Sequence, residues 1–170
     1  WGPVHSLVFT TRSVGMAFNE VVVTLVALGG GPRALRRFGW GLAGVTSAVL
    51  ALMALTPLSS VWFGEVQRIP AELVPMARVG AALCLLMPAY QVAQSWFQGL
   101  LVHAHQTRPI TEAVLIYFAL AWGLLELGVL RAEEFGVSGL NWALVTFIIA
   151  GLVQTAWLWL RSRSASRALG

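Results

Sequence analysis

Long apolar runs without a charge dominate this chain. Four segments contain no charged residue: 38–64, 79–102, 113–125 and 135–160. Three of them are long enough to cross a bilayer as a helix, which takes about 20 residues at a rise of about 1.5 Å each. The shorter one, 113–125, becomes a full span once Glu126 is included. The pattern predicts an all-α, polytopic membrane protein whose chemistry depends on the few polar groups that it carries into the lipid.

Short polar links that contain Gly or Pro separate the apolar runs and mark helix starts and stops. They predict a bundle over residues 1–160 and a basic tail over 161–170, with five transmembrane helices: residues 4–28, 38–61, 71–102, 110–130 and 137–160. The third is longer than one crossing requires, and we expect Pro75 and Pro88 to break or kink it.

The links alternate in charge. Those after the first, third and fifth spans carry Arg without acidic residues, whereas the other two carry Glu as well as Arg. Because Arg-rich loops stay on the cytoplasmic side, the C-terminus is predicted to be cytoplasmic in a bacterial inner (plasma) membrane. The chain then starts outside, at Trp1, without an initiator Met or a signal peptide, so we expect further spans upstream in a longer protein.

Composition narrows the class of protein. With 58% hydrophobic and 11% charged residues, the chain lacks the charged surface of a soluble domain. Its net charge of +4 does not indicate nucleic-acid binding, because the Arg residues cluster at the ends of the apolar spans. The single cysteine, Cys84, excludes a disulfide framework within the chain.

No catalytic signature is present in the sequence. It has no zinc-protease motif, no phosphate-binding Gly-rich loop and no nucleophile elbow, and without any Asp an aspartyl dyad is impossible. His103 and His105 are two positions apart, so they point to different sides of a helix and lack a third ligand nearby. We therefore predict no catalytic residue, no metal site and no cofactor, and we expect a protein that is not an enzyme.

The first span carries Arg12, Asn19 and Glu20. At about 100° per residue, Arg12 and Asn19 share one face, and Glu20 lies roughly a quarter turn aside. A cation at membrane depth is tolerated where it lines a water-filled path or has a partner. Arg12 is either a contact for an anionic cargo, or a side chain that snorkels to the interface or forms a fixed bridge between helices.

Polar residues also interrupt the later spans. Gln91, Gln94 and Gln98 fall on one face of the third span, where they either line an aqueous cavity or bond neighbouring helices. Glu126, late in the fourth span, is either an ion-coupling carboxylate or an interfacial group paired with Arg131 or Arg68.

Several segments resemble a known family. Residues 96–108 (WFQGLLVHAHQTR) are similar to a span–loop junction of the multidrug/oligosaccharidyl-lipid/polysaccharide (MOP) superfamily of MATE-like exporters and flippases. Residues 135–139 (FGVSG) and 150–153 (AGLV) are similar to the last helix of that superfamily. Residues 12–18 (RSVGMAF) and the Thr56-Pro57 pair resemble the progressive ankylosis branch.

The resemblance implies that the five spans are most of one six-helix lobe of a twelve-helix transporter. Two such lobes rock about a central cavity, usually driven by a gradient of a coupling ion such as H+ or Na+. The branch is associated with export of pyrophosphate, ATP or citrate, and Arg12 matches its intramembrane Arg. The missing N-terminal lobe of the same chain, a small-molecule or lipid-linked substrate and membrane lipids are the implied partners.

The sequence thus predicts the C-terminal part of a secondary-active transporter for an anionic or amphiphilic solute. The substrate-binding candidates are Arg12, Asn19, Glu20, Gln91, Gln94 and Gln98, and the ion-coupling candidate is Glu126. A membrane scaffold or assembly subunit without transport is the alternative, and an intramembrane enzyme would need catalytic groups from outside these residues.

Overall fold

The fold is helical throughout. A computed structural model of the chain describes residues 2–29, 31–135 and 138–168, and this part contains no strand. The predicted start of the fifth span at Val137 and the end of the predicted tail (169–170) lie outside the described residues. The long helices are α1 (Gly2–Ala27), α2 (Pro32–Leu55), α3 (Val74–Leu83), α4 (Met87–His103), α5 (Arg108–Phe135) and α6 (Gly139–Ala168).

Four stretches are long and apolar enough to cross a membrane: Arg33–Leu55, Ala71–His103, Arg108–Arg131 and Gly139–Arg163. They coincide with the second to fifth predicted spans, and they indicate an integral membrane protein. The helix of the first predicted span, α1, has 26 residues but does not reach the same apolarity, since it includes Arg12, Asn19 and Glu20.

The third predicted span is interrupted within the bundle. Residues Cys84–Leu86 form a 3-10 turn between α3 and α4, and Pro88 lies in the first turn of α4. A proline has no N–H to donate to the carbonyl four residues earlier and its ring collides with that carbonyl, which here belongs to Cys84. The break therefore falls where the sequence predicted an interruption, and α3 and α4 continue as two segments of one span.

Helix α4 forms the centre of the bundle. It packs against α1, α2 and α6, and α5 is attached mainly through α6. At one end of the bundle α1 and α4 finish, α2 and α5 begin, and α6 carries Arg161 and Arg163. We call this the basic end; the opposite end contains the link between α2 and α3, where Phe63 is buried in the core.

Small residues bring α1 and α4 into close contact. A Cβ atom added at Gly15 would lie 3.1 Å from Gln91 Cγ, and one added at Gly99 would lie 2.6 Å from Val22 Cγ1. Later residues of α1 meet later residues of α4, so the two helices run parallel. Without side chains at these two glycines, the helices approach closely enough for van der Waals contact along their length.

The C-terminus of α2 is capped by a side chain. Arg78 Nε donates to the Ala54 carbonyl at 3.0 Å, and Arg78 Nη2 donates to the Leu55 carbonyl at 2.7 Å. The last carbonyls of a helix have no partner within it and carry partial negative charge, so a guanidinium is well placed there. Arg78 thus joins α3 to α2 at the end opposite to the basic end.

Candidate functional site

The Arg12 side chain reaches from α1 to α4. Its Nε and Nη2 atoms both donate to Gln91 Oε1, at 3.2 and 2.7 Å. The guanidinium carbon lies 5.8 Å from the centre of the Tyr90 ring, on whose face a cation is attracted by the π-electrons. Gln91 is only 7% exposed, so this contact lies inside the bundle.

The charge of Arg12 is not neutralised by an acidic side chain among the described residues. Arg12 lies ten residues from the start of α1, about 15 Å along the helix axis. Its acceptor is a neutral amide, which satisfies two donors but leaves the positive charge. The arrangement is a partly buried cation, held by Gln91, with capacity for an anion.

Asn19 lies further along the same contact between α1 and α4. Its Oδ1 atom is 3.4 Å from the position that a Cβ at Gly99 would occupy. The atom is buried and accepts no hydrogen bond within the described part of the chain. A buried acceptor without a donor is unfavourable by about 1–3 kcal/mol, so Asn19 has unused capacity for a water or a ligand donor.

Gln94 points to a different helix. Its Nε2 atom lies within hydrogen-bonding distance of the Gly151 carbonyl (3.1 Å), Gln154 Oε1 (3.2 Å) and Thr155 Oγ1 (3.0 Å) of α6. Gln91 therefore joins α4 to α1, and Gln94 joins α4 to α6. Gln98, one turn later, is partly buried, and no hydrogen bond joins its side chain to another described residue.

Replacing Gln94 with Leu is expected to weaken the contact between α4 and α6. An amide nitrogen has two hydrogens, so two of the three acceptors are bonded at a time. At about 0.6 kcal/mol per interhelical bond in a membrane, the loss is about 1 kcal/mol. Thermal unfolding of the detergent-purified protein measures it, with Gln98→Leu as the matched control. Equal melting temperatures for the two variants would show that the Gln94 bonds do not stabilise the bundle.

The two acidic candidates lie apart from Arg12. Glu20 is exposed on α1. Glu126 is exposed on α5, where its Oε1 atom accepts a hydrogen bond from Trp122 Nε1 at 3.2 Å. The structure thus brings together Arg12, Gln91 and Asn19, and it leaves both carboxylates outside this group.

The two histidines at the C-terminal end of α4 lie in a helix cap. His105 has a positive φ of 56°, His105 N donates to the Val102 carbonyl at 3.0 Å, and Gln106 N donates to the Leu101 carbonyl at 2.8 Å. This pair of bonds is a Schellman motif, which supplies donors to the last carbonyls of a helix. No group of three metal-ligating side chains occurs among the residues described.

Among the described residues, Glu112 is the acidic side chain that forms ion pairs at the basic end. Glu112 forms ion pairs with Arg108 and with Arg161, each with a shortest distance of 3.1 Å. These bridges join the start of α5 to the end of α6. Arg108 and Arg161 therefore have an acidic partner, unlike the other described arginines at this end.

A cavity of about 840 Å³ opens at the basic end between α2 and α6, over α4. Its walls contain four arginines and five large aromatic side chains from α1, α2, α4 and α6: Arg33, Arg36, Arg37, Arg163, Phe18, Trp40, Trp96, Phe97 and Trp159. Small residues, Gly39, Ala43, Ala89 and Ala93, leave the space open. We call it the basic cleft.

The basic cleft was not predicted from the sequence. Its arginines were used there only to predict the orientation of the chain in the membrane. One signal was present in the sequence: Arg33–Arg37 precede Trp40, and Trp159 precedes Arg161 and Arg163, in segments predicted to share one side of the membrane. Which arginines are paired with Glu112 and which line a cavity depends on the packing of α2, α5 and α6.

Comparisons with known proteins identify no relative: no family model, no curated protein and no solved structure matches this chain.

Proposed function

We propose that the chain is the C-terminal part of a secondary-active transporter that moves an anionic or amphiphilic solute by alternating access. The supporting observation is Arg12, a guanidinium ten residues into α1 that is held by the neutral amide of Gln91, without an ion pair among the described residues. A charge at this depth is unfavourable unless it serves a substrate, an ion or a water path. An anion beside Arg12 would supply the missing negative charge.

In this proposal Arg12 binds the anionic group, Gln91 orients the guanidinium, and Asn19 offers its free acceptor to a donor on the cargo. Gln98 and Glu20 extend the polar surface, while Gln94 keeps α4 and α6 together. A missing N-terminal lobe completes the cavity, as the resemblance to MOP exporters implies, and α1 crosses the membrane in addition to the four apolar spans. The C-terminus is cytoplasmic in a bacterial inner membrane.

A membrane scaffold without transport is the second candidate. It is favoured by the fixed bonds of Gln91 to α1 and of Gln94 to α6, since both are contacts that hold helices together. The two candidates differ in what Arg12 does: in a scaffold its bond to Gln91 is its whole role, whereas in a transporter it also meets cargo.

Flux through the full-length protein in liposomes tests the proposal. Radiolabelled pyrophosphate and citrate are the probes, with an imposed H+ or Na+ gradient, and choline is the cationic control. We expect gradient-driven movement of an anion and none of choline. A folded, correctly inserted protein that moves neither anion would contradict the proposal and favour the scaffold.

Glu126→Gln is expected to make flux independent of the ion gradient. The carboxylate lies on the exposed side of α5 with a single hydrogen bond, from Trp122, so it is free to take up a coupling ion. Glutamine keeps the size but neither exchanges a proton nor carries charge. The ratio of flux with and without the gradient is the measurement, and Glu72→Gln, at an exposed residue of the link before α3, is the control. An unchanged ratio in Glu126→Gln would assign Glu126 to structure.

A further inference from the structure

We infer that the basic cleft is a binding site for an anionic membrane phospholipid, with its phosphate among the arginines and its acyl chains along the aromatic wall. This site is separate from Arg12. The Arg12 contact lies on the Gln91 face of α4, whereas the cleft is lined by Ala89 and Ala93, which lie about 160° around that helix from Gln91.

The charge of the cleft is one-sided. Arg33, Arg36, Arg37 and Arg163 line it, and none of its described lining residues is acidic. None of the four forms an ion pair with a described acidic residue, in contrast to Arg108 and Arg161, which both form an ion pair with Glu112. Four uncompensated guanidiniums around one space favour a phosphate-bearing ligand, because a guanidinium donates paired hydrogen bonds to phosphate oxygens.

The start of α2 adds to this potential. Gly31 supplies no side-chain cap, and the start of α2, beside Arg33 and Arg36, carries the partial positive charge of a helix N-terminus. The Arg163 guanidinium stacks over the Trp159 ring at 3.9 Å, which holds it at the cleft wall. The headgroup pocket is thus built from two helix ends, those of α2 and α6.

The remainder of the cleft is apolar and accessible from the side of the bundle. Trp40 is 66% exposed and Trp159 is 48% exposed, so these rings border an open wall. The lining runs from Arg33 to Ala43 on α2, about 15 Å along the axis, which takes it from the headgroup level well into the hydrocarbon. Its volume of about 840 Å³ lies within the usual range of ligand sites. A ligand with a phosphate at one end and an acyl chain at the other matches a cleft with arginines at one end and apolar side chains along the remainder.

The test titrates the detergent-purified full-length protein with phosphatidylglycerol whose acyl chains carry bromine, which quenches nearby tryptophans. Brominated phosphatidylcholine, with the same chains and no net charge, is the comparison. We expect saturable quenching by phosphatidylglycerol at concentrations about tenfold or more below those needed with phosphatidylcholine. Trp40→Phe should reduce the quenched fraction, which locates the lipid in the cleft.

Substitutions of the cleft arginines test whether these side chains bind the phosphatidylglycerol headgroup. Arg36→Gln is expected to weaken phosphatidylglycerol binding about fivefold, and Arg36→Gln with Arg163→Gln about 30-fold. Arg108→Gln removes an equally exposed charge at the same end but one that is paired with Glu112, so less than about a twofold change is expected. Both Arg36 and Arg108 are exposed, so neither single variant is expected to unfold the protein.

Three results would overturn the inference. Equal quenching by both lipids would mean ordinary contact with the surrounding bilayer. Displacement of the brominated lipid by soluble glycerol 3-phosphate at matched concentration would mean a site for a free phosphate compound. Equal weakening by Arg36→Gln and Arg108→Gln would mean that general surface charge, not the cleft, attracts the lipid.

Discussion

Arg12→Ala in the full-length protein is expected to abolish efflux of an anionic cargo while leaving expression and membrane insertion intact. A hydrogen bond to a charged group contributes about 1.5–3 kcal/mol, so the loss of one such contact with cargo lowers transport about 10- to 100-fold. The variant removes the partly buried charge itself, so it leaves no uncompensated cation at position 12. Initial rates of pyrophosphate or citrate flux in liposomes measure the effect.

Two further variants separate the charge of Arg12 from its bridge to Gln91. Arg12→Lys keeps the charge but loses the fork that gives both Nε and Nη2 a bond to Gln91 Oε1. Gln91→Leu keeps the guanidinium and removes its acceptor. If cargo binding depends on charge, Arg12→Lys retains more flux than Arg12→Ala. Full flux in a well-folded Arg12→Ala protein would remove Arg12 from the site and leave it as an interhelical contact.

Gly99→Ala is expected to destabilise the bundle by about 1–3 kcal/mol, because a methyl group cannot be accommodated between α4 and α1. The added carbon would lie 2.6 Å from Val22 Cγ1 and 2.8 Å from Val22 Cβ. The β-branched valine has no other favourable rotamer in a helix, so the helices themselves must separate. Thermal unfolding in detergent measures the loss. A second readout is cysteine cross-linking between α1 and α4, which should become less efficient.

The matched control is Gly123→Ala. Gly123 is exposed on α5, and an added Cβ there meets no atom within 4 Å. Alanine favours a helix over glycine by up to about 1 kcal/mol, so this variant is expected to be neutral or slightly stabilising. A Gly99→Ala protein as stable as the Gly123→Ala protein would show that α1 and α4 are not held at the distance described.

Much of the architecture was predictable, because a membrane span is a local property of about 20 residues. The second to fifth predicted spans match helices of sufficient length and apolarity, and the break before Pro88 follows from the missing donor of a single residue. The first span is the exception. Its helix formed as predicted, but Arg12, Asn19 and Glu20 lower its apolarity, and its buried face packs on α4.

The candidate site was predictable only in part. Helical periodicity placed Arg12 and Asn19 on one face and the three glutamines on another, but periodicity says nothing about which helix each face meets. In the structure Gln91 forms its hydrogen bond with α1 and Gln94 forms its hydrogen bond with α6, so two residues of one polar face bond to different helices. The glycine contacts of α1 and α4 were likewise not predicted, since a glycine's role depends on what lies opposite it.

The sequence by itself determined the helical class and four apolar helices long enough to span a membrane, because length and apolarity act within one segment. Only the tertiary structure decided which charges are neutralised. Arg108, Arg161 and Glu112 come together from two helices, whereas Arg33, Arg36, Arg37 and Arg163 are left facing one cavity. The physical reason is that an ion pair forms over a few ångströms, a distance set by how α2, α5 and α6 pack and not by spacing along the chain.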